Sequence, residues 1–303
     1  MKASRFSGPI LTTGLACMTL QVHAAASPST TVAKPSAAVA KPHVVPPKPT
    51  IMHSKVVAAP VLPPMTVQQI IDRHVAARGG AAAWKAVLSI TFKGNMGAGG
   101  TVYEAVSAKR SLERKERPEV LLPFTLSSKR PHKTRLELNF NGQTAVQVYD
   151  GTAGYKYRPF MGRNDWEPYS ADETKLAAAE PGMDGLLVDA ASNGRHVESA
   201  GTDMVEGNPA YRLRVTRADG KVLRVWIDAK SFLETKEDGA PRKLDARMHP
   251  VSIYLRDYKP EQGLMIAHTV ETEVQGVAKT EKITVDSVLV NPKLDDSQFT
   301  KPK

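Results

Sequence analysis

The side chains that could perform catalysis or bind a metal are few and scattered in this sequence. Cys17 is the single cysteine, and the eight histidines form neither a His-x-His nor a His-Glu-x-x-His motif, so the spacing of a zinc site is missing. Serine and threonine are common, but no Gly-x-Ser-x-Gly or Ser-x-x-Lys motif marks a serine nucleophile. We therefore predict no enzyme activity, no catalytic residue, no metal site and no cofactor.

Acidic residues offer weaker candidates for chemistry. Asp150 and Asp228 could act as paired carboxylates in hydrolysis, but Asp150 stands at a turn position that favours aspartate, and nothing brings the two together. Asp295 and Asp296 could bind a cation, although capping of a short C-terminal helix explains them more simply. The mixed-charge run Glu113–Arg117 is more typical of a solvated strand edge than of a catalytic site.

The segment 134–158 is more informative because its apolar residues alternate with polar ones. A period of two gives a strand one apolar face and one polar face. Asn141-Gly142 and Asp150-Gly151 divide the segment at dipeptides that favour tight hairpin turns. The segment is therefore predicted to be an antiparallel meander of three strands.

Several later strands have the same apolar alternation. We predict that the apolar side chains of the segment 134–158 and of these later strands face inward and line a cavity for an apolar ligand. The predicted set is Leu136, Leu138, Phe140, Val146, Val148, Leu213, Val215, Leu223, Val225, Ile227, Ile253 and Leu255. Trp84 and Trp166 are predicted to lie at a lid or rim of this cavity. Trp166 is placed there because it falls in a polar segment, 163–169, whose composition predicts a loop.

These residues need a large sheet to position them. Thr66 is a predicted N-cap for a helix that Gly79-Gly80 ends, and a second short helix carries Trp84. Further helical segments are predicted within 172–190, between two groups of strands. The predicted fold class is α+β, mainly β, with one strongly curved antiparallel sheet of about 11 strands and a few helices over its concave face.

The first 64 residues are predicted to lie outside this domain, which spans 65–303. Residues 1–24 have the basic start, apolar core and small residues of a cleavable signal peptide, which predicts a periplasmic protein. A lipoprotein modified at Cys17 and an uncleaved anchor are the alternatives. Residues 25–64 are rich in Pro, Ala and Lys and contain no acidic residue, so they are predicted to be a disordered linker. Contact between this linker and anionic envelope polymers is a second interpretation.

The net charge of +10 does not indicate a nucleic-acid-binding domain. Residues 1–64 contain six lysines or arginines and no acidic residue, which leaves +4 for residues 65–303. This excess is spread along the predicted strands, and no nucleic-acid-binding motif accompanies it. We therefore expect no nucleic-acid partner.

Six blocks of sequence together carry a resemblance to a known family. In chain order they are IIDRHVAARGG with Trp84, KRPHKTRLEL, YDGTAGY, Glu206-Gly207 with YRLRVT, RDY before Gly263, and DDSQF. They resemble the LolA-like superfamily, particularly the outer membrane lipoprotein-sorting proteins, from about Val67 to Phe299. The resemblance implies a half-barrel, closed by helices, that shields acyl chains from water. Tyr155 stands where such relatives usually have tryptophan, and the long linker is foreign to the compact carriers.

The sequence and this resemblance lead to one functional prediction and one main alternative. The prediction is a periplasmic binding protein that sequesters acyl chains of a lipid or lipoprotein, with transport to the outer membrane as one use. Burying an acyl chain is worth about 0.8 kcal/mol per methylene, so an apolar concavity suffices for binding. The alternative is an envelope-stress sensor or regulatory module that recognises lipid or a partner protein of the inner or outer membrane. A scaffold anchored by an uncleaved N-terminus is a further alternative.

Overall fold

The structure is a computed structural model and describes residues 60–106, 111–159, 162–244, 247–277 and 280–302. The predicted signal peptide and residues 25–59 of the predicted linker lie outside the described residues. The helices are α1 Val67–Ala77, α2 Ala81–Lys85 and α3 Ala171–Ala178, with 3₁₀ turns at Gly182–Asp184 and Asp296–Phe299. The strands are β1 Ser89–Val106, β2 Ser111–Lys129, β3 Lys133–Phe140, β4 Gln143–Tyr149, β5 Gly154–Arg158, β6 Arg163–Pro168, β7 His196–Val205, β8 Asn208–Thr216, β9 Val222–Asp228, β10 Glu234–Leu244, β11 Arg247–Glu261, β12 Leu264–Val274 and β13 Glu281–Val290.

In the described part of the chain, all 13 strands form one open antiparallel sheet. Its order is β6-β5-β4-β3-β2-β1-β13-β12-β11-β10-β9-β8-β7. The first and last strands of the chain therefore pair at the centre, whereas β6 and β7, which are consecutive in sequence, form the two edges. The connection 169–195 must consequently pass from one edge of the sheet to the other. The curved, unclosed sheet confirms the predicted α+β half-barrel, with slightly more strands than expected.

Local sequence signals at the helix ends and turns are confirmed. The Thr66 hydroxyl accepts the Gln69 backbone N–H, and the Gln69 side chain accepts the Thr66 N–H, which completes a capping box at the start of α1. Asn141 and Gly142 both have positive φ, 48° and 74°, as the predicted tight hairpin turn between β3 and β4 requires. Asp295 caps the last 3₁₀ turn by accepting the Ser297 N–H.

Two strand predictions are wrong in extent. The sequence pattern predicts three strands in this part of the chain, at 89–96, 101–115 and 121–128. The structure has two long strands instead, β1 and β2, which pair past the glycines at 97–100 with a register shift between Gly99 and Gly100. The segment containing Trp166 is not a loop but the edge strand β6, paired with β5. Its charged residues do not prevent strand pairing, because Glu167 accepts hydrogen bonds from Arg158 and Arg163 at the open edge.

Different parts of the chain cover the two faces of the sheet. The inner face is the one that contacts α1 and α2. Ile70 of α1 belongs to an apolar cluster with Leu213, and Trp84 of α2 belongs to a second cluster with Leu138. The outer face of β3 and β4 contacts the C-terminal 3₁₀ turn, where Phe299 is fully buried.

The last residues of the predicted linker pack against the domain. Thr202 donates its hydroxyl to the Pro60 carbonyl at 2.7 Å, and Tyr211 donates to the Pro63 carbonyl at 3.1 Å. Leu62 packs against the cluster beneath α1. Residues 60–64 therefore follow the edge of the sheet near β7 and β8.

Candidate functional site: an apolar cavity beneath α2

A small apolar cavity lies between α2 and the inner face of the sheet. Its volume is about 60 Å³, room for about two water molecules. Strands on both sides of the β1–β13 seam contribute to it, since Phe92 comes from β1 and Val270 from β12. The lining residues are Arg78, Trp84, Ile90, Phe92, Ser128, Met183, Glu234, Leu255, Tyr258, Met265, Ile266, Ala267 and Val270.

Trp84 forms the α2 side of this cavity and is held there by polar contacts. Its indole Nε1–H donates to the Arg78 carbonyl at 3.0 Å, and the Arg78 guanidinium lies 4.2 Å from the centre of the ring. Arg78 in turn donates to the Asp184 carbonyl at 2.8 Å. The orientation of Trp84 therefore depends on both the α1–α2 joint and the connection 169–195.

Arg130 fastens the same elements from the sheet side. Its Nε donates to the Val87 carbonyl at 2.7 Å, and Nη2 donates to the Trp84 carbonyl at 3.0 Å. The guanidinium also binds both carboxylate oxygens of Asp184, at 2.7 and 2.6 Å, and this pairing raises the pKa of Arg130. α2 and the residues just after it are thus attached to the sheet through the Trp84 and Val87 carbonyl groups as well as through the Trp84 side chain.

A buried polar group lies between the two apolar clusters. His74 and Glu234 are both nearly inaccessible to solvent, with His74 Nε2 3.6 Å from the Glu234 carboxylate. His74 Nδ1 lies 3.0 Å from the Phe232 carbonyl, and because a carbonyl can only accept, Nδ1 must carry the proton. Burial lowers the pKa of His74, an effect that Glu234 opposes and Arg78 reinforces. Burial also raises the pKa of the Tyr258 hydroxyl, which donates to the Glu234 carbonyl at 2.9 Å.

Ten of the twelve predicted apolar residues lie on the inner face, but most of them do not line the cavity. Leu213, Val215, Leu223, Val225 and Ile227 belong to the cluster beneath α1. Leu136, Leu138, Phe140 and Ile253 belong to the larger cluster that includes Trp84. Leu255 is the one member of the predicted strand set among the lining residues, and Trp84, the predicted lid or rim residue, also lines the cavity.

Val146 and Val148 correct the prediction, because they lie on the outer face. In the β3–β4 register they stand opposite Glu137 and Arg135, whereas Leu138 stands opposite Ala145. Directly opposed residues of antiparallel strands project to the same side, so the two valines face away from Trp84 and α2. Both remain buried.

Trp166 also lies away from the cavity. Its ring stacks on Tyr157 with 5.6 Å between the centroids. Tyr157 stands opposite Val146 in the β4–β5 register and therefore faces outward. The predicted role of Trp166 at the rim of an inner cavity has no geometric basis in this arrangement.

Sequence reasoning missed several lining residues that have weak local signals. Phe92 could have been identified, because it follows Ile90 at the two-residue spacing of an apolar strand face. Met183 follows the Pro181-Gly182 break, and nothing in its local sequence indicates that the connection crosses the inner face. The consecutive residues Met265, Ile266 and Ala267 all line the cavity. The alternation of a strand predicts that only every second residue does, so it fails here.

The described ranges hold neither a candidate metal centre nor a candidate membrane helix. No group of three or more His, Cys, Asp or Glu side chains there is arranged to hold a metal ion. Within those residues, no helix combines the length and apolar character needed to cross a bilayer.

Comparisons with solved structures identify the fold. A LolA superfamily protein from Nitrosomonas europaea aligns over 78% of this chain and 99% of its own, with 12% identity and a TM-score of 0.52. A DUF1329 family protein from Desulfovibrio piger aligns over 78% of this chain and 97% of its own, with 13% identity and a TM-score of 0.50. The sequence matches no family model and no curated protein. The chain has a LolA-like fold, as the sequence blocks implied.

Proposed function

We propose that this protein binds an acyl chain of a lipid or lipoprotein beneath α2, without catalysing a reaction. The observation that carries the proposal is the apolar cavity whose cover is fastened by hydrogen bonds. The ligand site is narrower than the whole inner face, because α1 already fills the region over β8 and β9. Leu255, Phe92 and Trp84 would contact the chain first.

Binding requires α2 to move away from the sheet. A cavity of about 60 Å³ is well below the roughly 300–1,000 Å³ of a small-molecule site. The hydrogen bonds from Arg130 to the Trp84 carbonyl of α2 and to the Val87 carbonyl just after it can be exchanged for bonds to water at a net cost of about 0.5–1.5 kcal/mol each. Burial of about ten methylenes, at roughly 0.8 kcal/mol each, outweighs that cost. Opening of α2 is therefore the step that we expect to control acyl binding.

The proposed location is the periplasm, with residues 1–24 as a cleavable signal peptide and 25–59 as a tether. An acyl carrier in this compartment would serve delivery of lipid or lipoprotein to the outer membrane. The alternative role as a lipid sensor would use the same site, with a membrane protein as partner.

Quenching of tryptophan fluorescence by brominated fatty acid tests the site directly. Trp84 lines the cavity, whereas Trp226 is equally buried on the outer face near Val205 and Ala210. Two single-tryptophan proteins, W166F/W226F and W84F/W166F, report the two positions separately. We expect delipidated protein to take up bromostearate with quenching of Trp84 and not of Trp226. Quenching of Trp226 alone would place the ligand elsewhere, and absence of uptake would refute acyl binding.

A further inference from the structure

A second and larger cavity opens beside the apolar one. It is a cleft of about 540 Å³, within the range of small-molecule sites. Three distant segments build it: the β2–β3 turn at 130–132, the connection around 178–195, and the β8–β9 turn at 217–219. Met183 lines both the cleft and the apolar cavity, so the two spaces meet at this side chain.

Arg195 is the unusual side chain of this cleft. Its Nη1 donates to the Gly185 and Leu186 carbonyls at 2.9 and 3.0 Å, which fixes the guanidinium in place. In the described part of the chain, no carboxylate lies within salt-bridge distance of it. Burial lowers the pKa of Arg195, and the nearby charge of Arg217 lowers it further, while Asp184 opposes both. The site therefore holds a positive charge that its own residues compensate only in part.

Arg217 stands on the other side of the cleft and is positioned in a similar way. Its Nη2 donates to the Ala179 carbonyl at 2.7 Å, and its Nε is 3.6 Å from Asp219. Asp219 also accepts the Lys221 backbone N–H at 3.1 Å. Both arginines are thus held by carbonyl groups of the connection, with N–H groups left over for an anionic ligand.

The carboxylates of the cleft limit which anion fits. Asp184 is bound at both oxygens by Arg130, and Asp219 is shared between Arg217 and Lys221. Glu180 adds a third carboxylate to the lining. Because these carboxylates offset part of the positive charge of the arginines, a singly charged phosphodiester suits the cleft better than a compact dianion does.

We propose that this cleft binds the phosphate of a phospholipid headgroup, on Arg195 and Arg217, while the acyl part of the same molecule enters the cavity past Met183. This proposal rests on the acyl-binding function and adds the chemical class of the ligand. Planar guanidinium groups match phosphate oxygens in geometry and charge.

The test compares two soluble ligands that differ in the headgroup. Dihexanoyl phosphatidylethanolamine and dihexanoylglycerol are titrated into delipidated protein below their aggregation concentrations, with Trp84 fluorescence or calorimetry as the readout. We expect the phospholipid to bind about tenfold more tightly or better, since hydrogen bonds between a guanidinium and a phosphate are roughly twice as strong as those between neutral groups. R195Q and R217Q should each lose most of this preference while keeping the affinity for dihexanoylglycerol.

Matched controls separate the proposal from trivial effects. R214Q removes an exposed arginine from the neighbouring strand β8, where Arg214 lies 3.5 Å from Glu198, and should leave both affinities unchanged. If the arginine variants fold poorly, the wild-type protein still provides a test, because added NaCl should weaken phospholipid binding more than dihexanoylglycerol binding.

The outcomes distinguish the two proposals. Equal affinity for the two ligands would overturn the headgroup site but leave acyl binding intact, whereas no binding of either would overturn both. Inorganic phosphate alone identifies the source of the anion. Weak competition by phosphate with the same arginine dependence supports the headgroup site. Phosphate that binds as tightly as the phospholipid would assign the cleft to free phosphate instead.

Discussion

Gly79 and Gly80 allow a sharp test of how α2 is held against the sheet. Both residues have positive φ, 108° and 90°, so an alanine at either position is strained. A Cβ added at Gly79 would lie 2.2 Å from the Gly263 carbonyl oxygen, whereas a Cβ at Gly80 meets nothing within 4 Å. G80A therefore reports the backbone strain alone, and G79A reports the strain together with the close approach of the α1–α2 joint to the β11–β12 turn.

The structure sets the size of the two effects. Strain at a position that only glycine adopts readily costs of the order of 1–3 kcal/mol, and this should appear in both variants. Relief of the overlap in G79A requires the backbones to separate by about 1 Å, which adds a further cost of about 1–3 kcal/mol. That movement also stretches the hydrogen bond from the Met265 N–H to the Arg78 carbonyl, now 3.0 Å. G79A should therefore unfold at a lower denaturant concentration than G80A.

Two measurements decide the matter. Equilibrium unfolding in urea gives the free energies, and hydrogen exchange at the Met265 amide reports the local contact. If acyl chains enter beneath α2, G79A should also take up fluorescent fatty acid faster than G80A, because its joint is displaced from the sheet. Equal stability and equal exchange in the two variants would refute the view that Gly79 fastens this joint.

Three further predictions concern the buried His74, the hydrogen bonds of Arg130 to α2, and Phe299 on the outer face. Because the pKa of His74 is lowered in the folded protein, the unfolded chain binds more protons at mildly acidic pH. The free energy of unfolding should therefore fall as pH drops below about 6.5, by at most about 1.4 kcal/mol per pH unit from this one group. H74Q should flatten this slope in urea titrations across pH, and an unchanged slope would exclude His74 as its source. R130Q should lower the free energy of unfolding by about 1.5–3 kcal/mol and accelerate fatty-acid uptake, because it removes the hydrogen bonds that hold α2 against the sheet. Slower uptake in stopped-flow fluorescence would contradict this role of Arg130. F299A should lower the free energy of unfolding by about 3–5 kcal/mol, measured by thermal or urea unfolding. It should keep its affinity for acyl chains, because Phe299 packs on the outer face of the sheet. A selective loss of acyl affinity in folded F299A protein would contradict this placement.

Local sequence chemistry was enough to predict the helix starts and hairpin turns. The Thr66 capping box and the Asn141-Gly142 turn depend on interactions within four residues, so their signals are present in any short window. The inward-facing residues of β8 and β9, such as Leu213 and Val225, were also predictable, because apolar and polar residues alternate there. Predictions of this kind need no knowledge of the partner strand.

Assignment of a face failed where a strand is apolar on both sides. In β4, Ala145, Val146, Val148 and Tyr149 are all buried, so periodicity does not say which parity points inward. The register with β3 decides it, and a shift by one residue would reverse every side chain. The edge strand β6 was missed because its side chains are mostly polar. An edge strand pairs on one side only and is open to solvent on the other, so it needs no apolar alternation.

The sequence by itself determined most of the helices, turns and strands, with β6 and the extent of β1 and β2 as the exceptions, and it determined that the sheet has an apolar inner face. Only the tertiary structure decided that β1 pairs with β13 and that residues 169–195 therefore cross the inner face. The cavity and the cleft follow from that crossing, because it brings Met183 and Arg195 of the connection against residues from other parts of the chain, such as Phe92 in the cavity and Arg130 in the cleft. A cavity is the volume left between packed elements, and no local pattern of residues records where those elements come to lie.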